Sequence, residues 1–99
     1  MIVVAGTFRV PPEKLEALRP HAQAVIAATR GEPGCIAYSF AEDLADPGLI
    51  RIYEEWRSLD DLQAHAKSAH MAPWRAALAE IGASGRDLKR YEAGEATPL

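Results

Sequence analysis

Cys35-Ile36-Ala37-Tyr38-Ser39-Phe40-Ala41, a turn at Ala45-Asp46-Pro47-Gly48, and then Leu49-Ile50-Arg51-Ile52-Tyr53-Glu54-Glu55-Trp56 decide the fold of this chain. In the first run Ile36, Tyr38 and Phe40 alternate with smaller residues, and the second is rich in Ile, Tyr and Trp, as strands are. The short connection between them predicts a hairpin. Upstream, Leu15, Leu18, Ala22, Val25 and Ile26 recur at helical spacing from Pro12 onward, and Gly31 with Pro33-Gly34 ends that helix. Pro20 lies nearly opposite the apolar face, so a kink rather than a break is expected there. Before the helix, Ile2 to Val10 is β-branched and apolar and is stopped by Pro11-Pro12: a first strand. Downstream, Ser58 has the chemistry of an N-cap, with Asp61 three positions on. Leu59, Leu62, Ala66 and Ala69 form the apolar side of this second helix. Pro73 predicts two pieces, the second carrying Trp74, Ala77, Leu78 and Ile81 and closing at Gly82 and Gly85. Arg86 to Glu92 reads as a charged last strand, and 93–99 as a mobile tail. The order β-α-β-β-α-β is the split βαβ, ferredoxin-like pattern, an α+β fold with an antiparallel sheet in one domain, 1–99.

Composition narrows the function classes. Ninety-nine residues at 10.8 kDa suffice for a single core. With 48% hydrophobic and 25% charged residues, disorder and coiled coil are excluded as descriptions of the chain. A net charge of −3 argues against a nucleic-acid partner, which calls for a basic stripe. The single cysteine, Cys35, excludes an internal disulfide and a cysteine-only metal site. No apolar run approaches the ~20 residues of a membrane span, and the start lacks the basic residue and length of a signal peptide. A cytoplasmic protein with no membrane partner is the expectation.

The strands carry a further implication. Two helices cover one face of a four-stranded sheet, and a face left in water should be polar. Here both parities are partly apolar: Ile2, Val4 and Phe8 against Val3 and Ala5, and Ile50, Ile52 and Trp56 against Leu49 and Tyr53. A second copy of the chain is the simplest cover, so a homodimer joined through its sheets is expected.

Candidate chemistry is sparse. His21 falls on the polar side of the first helix and reads as a surface residue. His65 flanks the apolar stripe of the second helix and His70 falls on the side of Trp74. Five residues apart on one helix, they would face different ways, so a shared metal is not expected. No P-loop, dinucleotide fingerprint or His-Glu-x-x-His is present. Cys35 reads as a small buried strand residue, and Arg86, Lys89 and Arg90 as a solvated edge. Of Glu54 and Glu55, one must point to each face, and an inward one would have a raised pKa. Tyr38, Phe40, Tyr53, Trp56 and Trp74 either fill the core or line an aromatic cavity between sheet and helices.

Several segments together resemble the antibiotic biosynthesis monooxygenase family, in its small quinol monooxygenase form. They are Glu32-Pro33-Gly34-Cys35-Ile36-Ala37-Tyr38, Asp46-Pro47, Tyr53-Glu54-Glu55-Trp56-Arg57-Ser58, Ala64-His65 and Ser68-Ala69-His70-Met71. The resemblance spans residues 1–92 and implies a dimeric α+β barrel. It implies oxidation of an anthrone or quinol by O₂ without metal, flavin or haem, the substrate's own anion supplying the electrons. It implies His65 as proton acceptor and Trp56 as part of the pocket wall; Phe8, Tyr38, Phe40, His70 and Trp74 are the other expected surroundings of a small aromatic substrate. The Asn and Tyr that serve anthrone-oxidising members are replaced by Ile52 and Leu62, which points away from that particular reaction. The iron-ligating His of the haem-degrading branch falls near Trp74 and Arg75, so no haem is expected. Isomerisation of a small metabolite, or binding alone, are the other activities that such a pocket could serve.

Overall fold

A computed structural model describes all 99 residues. Four strands, β1 (Ile2–Arg9), β2 (Cys35–Glu42), β3 (Leu49–Trp56) and β4 (Ser84–Glu92), form one sheet in the order β2-β3-β1-β4. Every pairing is antiparallel. α1 (Leu15–Arg30), preceded by a 3-10 turn at Pro12–Lys14, joins β1 to β2; α2 (Leu59–Ala66) and α3 (Met71–Ile81) join β3 to β4. This is the ferredoxin-like α+β fold that the element order predicts.

The boundaries follow local chemistry. β1 ends one residue short of Val10, which is buried and donates its N–H to the Gly48 carbonyl at 2.9 Å. α1 continues through Pro20, whose side chain is exposed. Ser58 caps α2, its Oγ accepting from the Asp61 N–H at 3.2 Å. The second helical region does divide in two, but not at Pro73. The break falls at 67–70, and Pro73 sits in the first turn of α3, where its missing N–H has no intrahelical partner to lose. α3 stops at Gly82, whose φ of +87° is open to glycine and strained for other residues. β4 begins two residues earlier than the charged run suggests, because Ser84 pairs with Arg9 after a register shift. No regular structure follows Glu92, although Ala93 and Met1 exchange main-chain hydrogen bonds.

The apolar parity of the strands faces the helices. Phe8, Ile50 and Ile52 from the sheet meet Leu18 and Val25 of α1 and Trp74 of α3 in one cluster. Ile2, Val4, Tyr38 and Trp56 form a second beside α2. On the opposite face Tyr53 and Tyr91 are 42% and 52% exposed. The two edge strands of the sheet differ in cover: α1 and α3 pack on each other and α1 lies against β2, while the helix-side residues of β4 are largely exposed. The layer between α3 and β4 is therefore open, and the site lies there.

Candidate functional site

Between the sheet and the pair α2 and α3 lies a cavity of about 490 Å³. Strand alternation sends Phe8, Tyr38, Phe40, Ile52 and Glu54 into it from below. His65 of α2 and Met71, Trp74 and Leu78 of α3 close it from above. Phe40 stacks on Trp74 with centroids 5.2 Å apart, and Trp74 meets Phe8 edge-on at 6.3 Å. Five of the residues singled out in the sequence, Phe8, Tyr38, Phe40, His65 and Trp74, thus share one wall system. Of the two readings of the aromatics, core filler and cavity lining, both hold for Tyr38, Phe40 and Trp74, which pack in the core and still enclose a space, whereas Tyr53 alternates onto the opposite face of the sheet and is exposed.

Trp56 stands differently from the others. It is fully buried and lies behind the wall, its ring 4.8 Å from that of His65. Its indole N–H donates to Glu54 Oε1 at 2.9 Å. So Trp56 touches the cavity only through the two ionisable residues that it supports. His70 likewise is not among the lining residues.

The principal polar arrangement at the inner end involves a residue absent from the sequence candidates. Glu32, in the Glu-Pro-Gly turn after α1, places Oε2 2.6 Å from His65 Nδ1 and 3.0 Å from His70 Nε2. The His65 ring is only 4% exposed, deeper than the rim position that its place on the helix margin suggests. The expectation that the two histidines face apart assumes a continuous helix. The break at 67–70 turns the chain back and brings His70 to the same carboxylate. Ser68 Oγ, which donates to the His65 carbonyl at 2.6 Å, and Thr29 Oγ1 lie 3.1 and 3.3 Å from His70 Nε2. Glu32, His65 and His70 together are the one cluster of donor atoms close enough to be considered for a metal ion. Their short contacts are equally those of two imidazole N–H groups donating to one carboxylate oxygen. A carboxylate can only accept, so His65 Nδ1 carries a proton, and in the neutral ring the lone pair is then on Nε2. No protein group bonds to that Nε2.

Two further groups respond to the low-dielectric surroundings. Burial pushes the Glu54 carboxyl upward from its ordinary range, against the Trp56 hydrogen bond and the nearby His65 and Arg86, which favour the charged form. Burial, then the charge of Glu54, also holds the Tyr38 phenol well above its ordinary range, so it stays protonated at neutral pH. Glu54 is the inward member of its pair; Glu55 instead accepts from the exposed Tyr53 hydroxyl at 2.6 Å. Cys35 is half-buried on β2, and burial with the negative charges of Glu32 and Glu54 raises its thiol pKa, the reverse of an activated nucleophile.

A stability consequence follows for Glu54. Its folded-state pKa lies above the unfolded one, so the folded protein is favoured below the unfolded pKa and loses that advantage as pH rises through the folded one. Glu54→Gln removes the charge and keeps an oxygen for the Trp56 N–H. At pH 7 the variant should melt above the parent, and the gap should close as pH falls toward 4; an unchanged gap across that range, read by thermal melts, would mean that Glu54 is not the responsible group.

Comparison with known proteins agrees with the fold. Residues 1–77 match the family described as antibiotic biosynthesis monooxygenase. A Mycobacterium tuberculosis protein named "Putative monooxygenase" is 35% identical over 80 residues, covering 81% of this chain and 78% of its own length. A Bacillus subtilis protein of the same designation is 27% identical over 95 residues, covering 96% of this chain and 100% of its own. A crystal structure from Deinococcus radiodurans, described as a "putative antibiotic biosynthesis monooxygenase", superposes with a TM-score of 0.92 at 31% identity, covering 100% of this chain and 98% of that one.

Proposed function

Because the chain belongs to the antibiotic biosynthesis monooxygenase family, we propose that it oxidises a small, flat, enolisable or phenolic compound with O₂, drawing every electron from the substrate and using no metal or organic cofactor. The observation that carries this reading is the Glu32–His65 pair at the inner end of an aromatic cavity, with one imidazole nitrogen tied to a carboxylate and the other free. The carboxylate fixes the tautomer and the ring orientation and stabilises the imidazolium once formed. A substrate whose acidic O–H or C–H reaches Nε2 loses its proton there. The resulting phenolate or enolate is electron-rich enough to reduce O₂. In the complete reaction one oxygen atom enters the product and the other leaves as water, and the substrate supplies four electrons. The protonated Tyr38 and the apolar walls keep bulk water from that anion.

Oxygen uptake with a panel of reduced quinones and anthrones tests the reading. Consumption tied to substrate loss, one O₂ per product, supports it. Conversion without oxygen uptake would instead mean isomerisation on the same proton-transfer site.

We further propose that the working unit is a homodimer joined through the helix-free face of the sheet. Half-buried Val3, Ala5, Ala37 and Leu49, with exposed Tyr53 and Tyr91, give that face more apolar area than a solvated sheet needs. Sedimentation at micromolar concentration should give about twice the 10.8 kDa chain mass. A monomer would remove this proposal.

A further inference from the structure

The charge at the open end of the cavity is opposite to that of the molecule. The chain carries −3 in all, yet Arg75, Arg86, Lys89 and Arg90 line the cavity against a single acid, Glu54. Lys89 is neutralised by Asp87 at 2.8 Å. Arg75, Arg86 and Arg90 have no carboxylate within 4.0 Å, whereas Arg9, Arg19 and Arg51 each do. Arg75 is anchored to the Ala66 carbonyl by one Nη at 2.7 Å, which leaves the rest of its fork unused.

Placement on the fold is what concentrates these groups. Arg86 and Arg90 lie two residues either side of Leu88, which packs against the helix-side core, so alternation puts all three on the cavity side of β4. β4 is an edge strand with no helix over it, so both guanidiniums stand at the mouth, while the proton acceptor lies at the inner end. Glu54 cannot serve as their permanent partner: it is 6% exposed, hydrogen-bonded to Trp56, and held toward its neutral form. Unpaired guanidiniums at the rim of an apolar cleft attract and orient an oxyanion.

We infer that the cavity takes an amphiphilic anion, a flat apolar body carrying a carboxylate or similar oxyacid group that Arg86 and Arg90 hold at the mouth. The inference rests on the reading of the cavity as a substrate site and narrows it. The acid group fixes which end enters first and so which hydrogen reaches His65.

Binding measured without turnover separates this from the oxygenase reading. The probes are two dyes with the same aromatic skeleton: 1-anilinonaphthalene-8-sulfonate, an anion, and N-phenyl-1-naphthylamine, which is neutral. At low salt the native protein should prefer the sulfonate by about tenfold or more, the scale of a charged hydrogen-bonded contact that is partly in water. The variant R86Q/R90Q should lose that preference while binding the neutral dye as before, and added salt should erode it in the native protein only. The variant R57Q/K67Q removes two exposed charges that do not line the cavity and should keep the preference. Equal preference in the native protein and R86Q/R90Q, or equal loss in both double variants, would overturn the inference. Neither result would bear on whether the protein consumes oxygen.

Discussion

Replacing His65 by glutamine should lower turnover by about 10²-fold or more on any substrate that the protein converts, the contribution expected of a general base. Glutamine fits much of the space beside Trp56 and can still donate to Glu32, so packing is largely kept. What it lacks is a basic lone pair at the position of Nε2. Substrate affinity, read by dye or quinol binding, should change little, which distinguishes loss of chemistry from loss of the cavity. Glu32→Gln should have a smaller effect, about 10-fold, because it leaves the imidazole in place but frees its tautomer and orientation. His21, exposed on α1, should be replaceable by alanine with no effect on either measurement. Near-normal turnover in His65→Gln would transfer the proton to Glu54, the other ionisable group at that end, or to water.

Gly6→Ala should be the most damaging single change to the fold. Gly6 stands in β1 between Ile52 of β3 and Leu88 of β4. A Cβ there would lie 1.9 Å from the Asp87 carbonyl oxygen and 2.8 Å from the Leu88 Cα. Both are main-chain atoms of the neighbouring strand, so no rotamer change relieves the collision. β4 would have to move off β1 along the pairings Val4 with Arg90 through Thr7 with Asp87. A loss of about 3 kcal/mol or more is expected, roughly 15 °C in melting temperature for a domain of this size. Gly94→Ala, where a Cβ meets nothing within 4 Å, is the control and should melt with the parent. Because Arg86, Leu88 and Arg90 ride on β4, even a variant of Gly6 that folds should bind the anionic dye weakly.

The extent to which this molecule is legible in its sequence depends on the range of the interaction. Strand and helix periods are local, and they lead to the right element order, the hairpin and the Ser58 cap. Pro73 misleads because proline breaks a helix interior but is welcome in a first turn; only the position of the break, set by the turn at 67–70, tells which applies. The same turn defeats the spacing argument about His65 and His70, which is sound only within one helix. Glu32 is the larger omission. It sits in a Pro-Gly turn whose composition announces a change of direction, and its partners lie 33 and 38 residues away. Nothing in its neighbourhood marks it as a partner of histidine; only its place in the Glu-Pro-Gly-Cys segment gave it any weight. The basic residues of β4 are visible in the sequence as a cluster and are indeed exposed, but a solvated edge and the rim of a cleft have the same composition. They are told apart by what lies on the other side, here α3 and the aromatic wall.

The placement of the two tryptophans gives the protein an intrinsic optical readout. The chain has no others. Trp74 forms the ceiling of the cavity and Trp56 lies one ring behind its inner end, 0% and 5% exposed for Trp56 and Trp74 respectively. Native emission should therefore be blue-shifted and should come wholly from the neighbourhood of the site. A quinone entering the cavity would stack within contact distance of one indole and within a single side chain of the other, and should quench both. Titration of unlabelled protein, stopped-flow entry and exit, and the fate of bound product during turnover can all be followed at one emission wavelength. Protonation of His65, whose ring lies against Trp56, should register in the same signal.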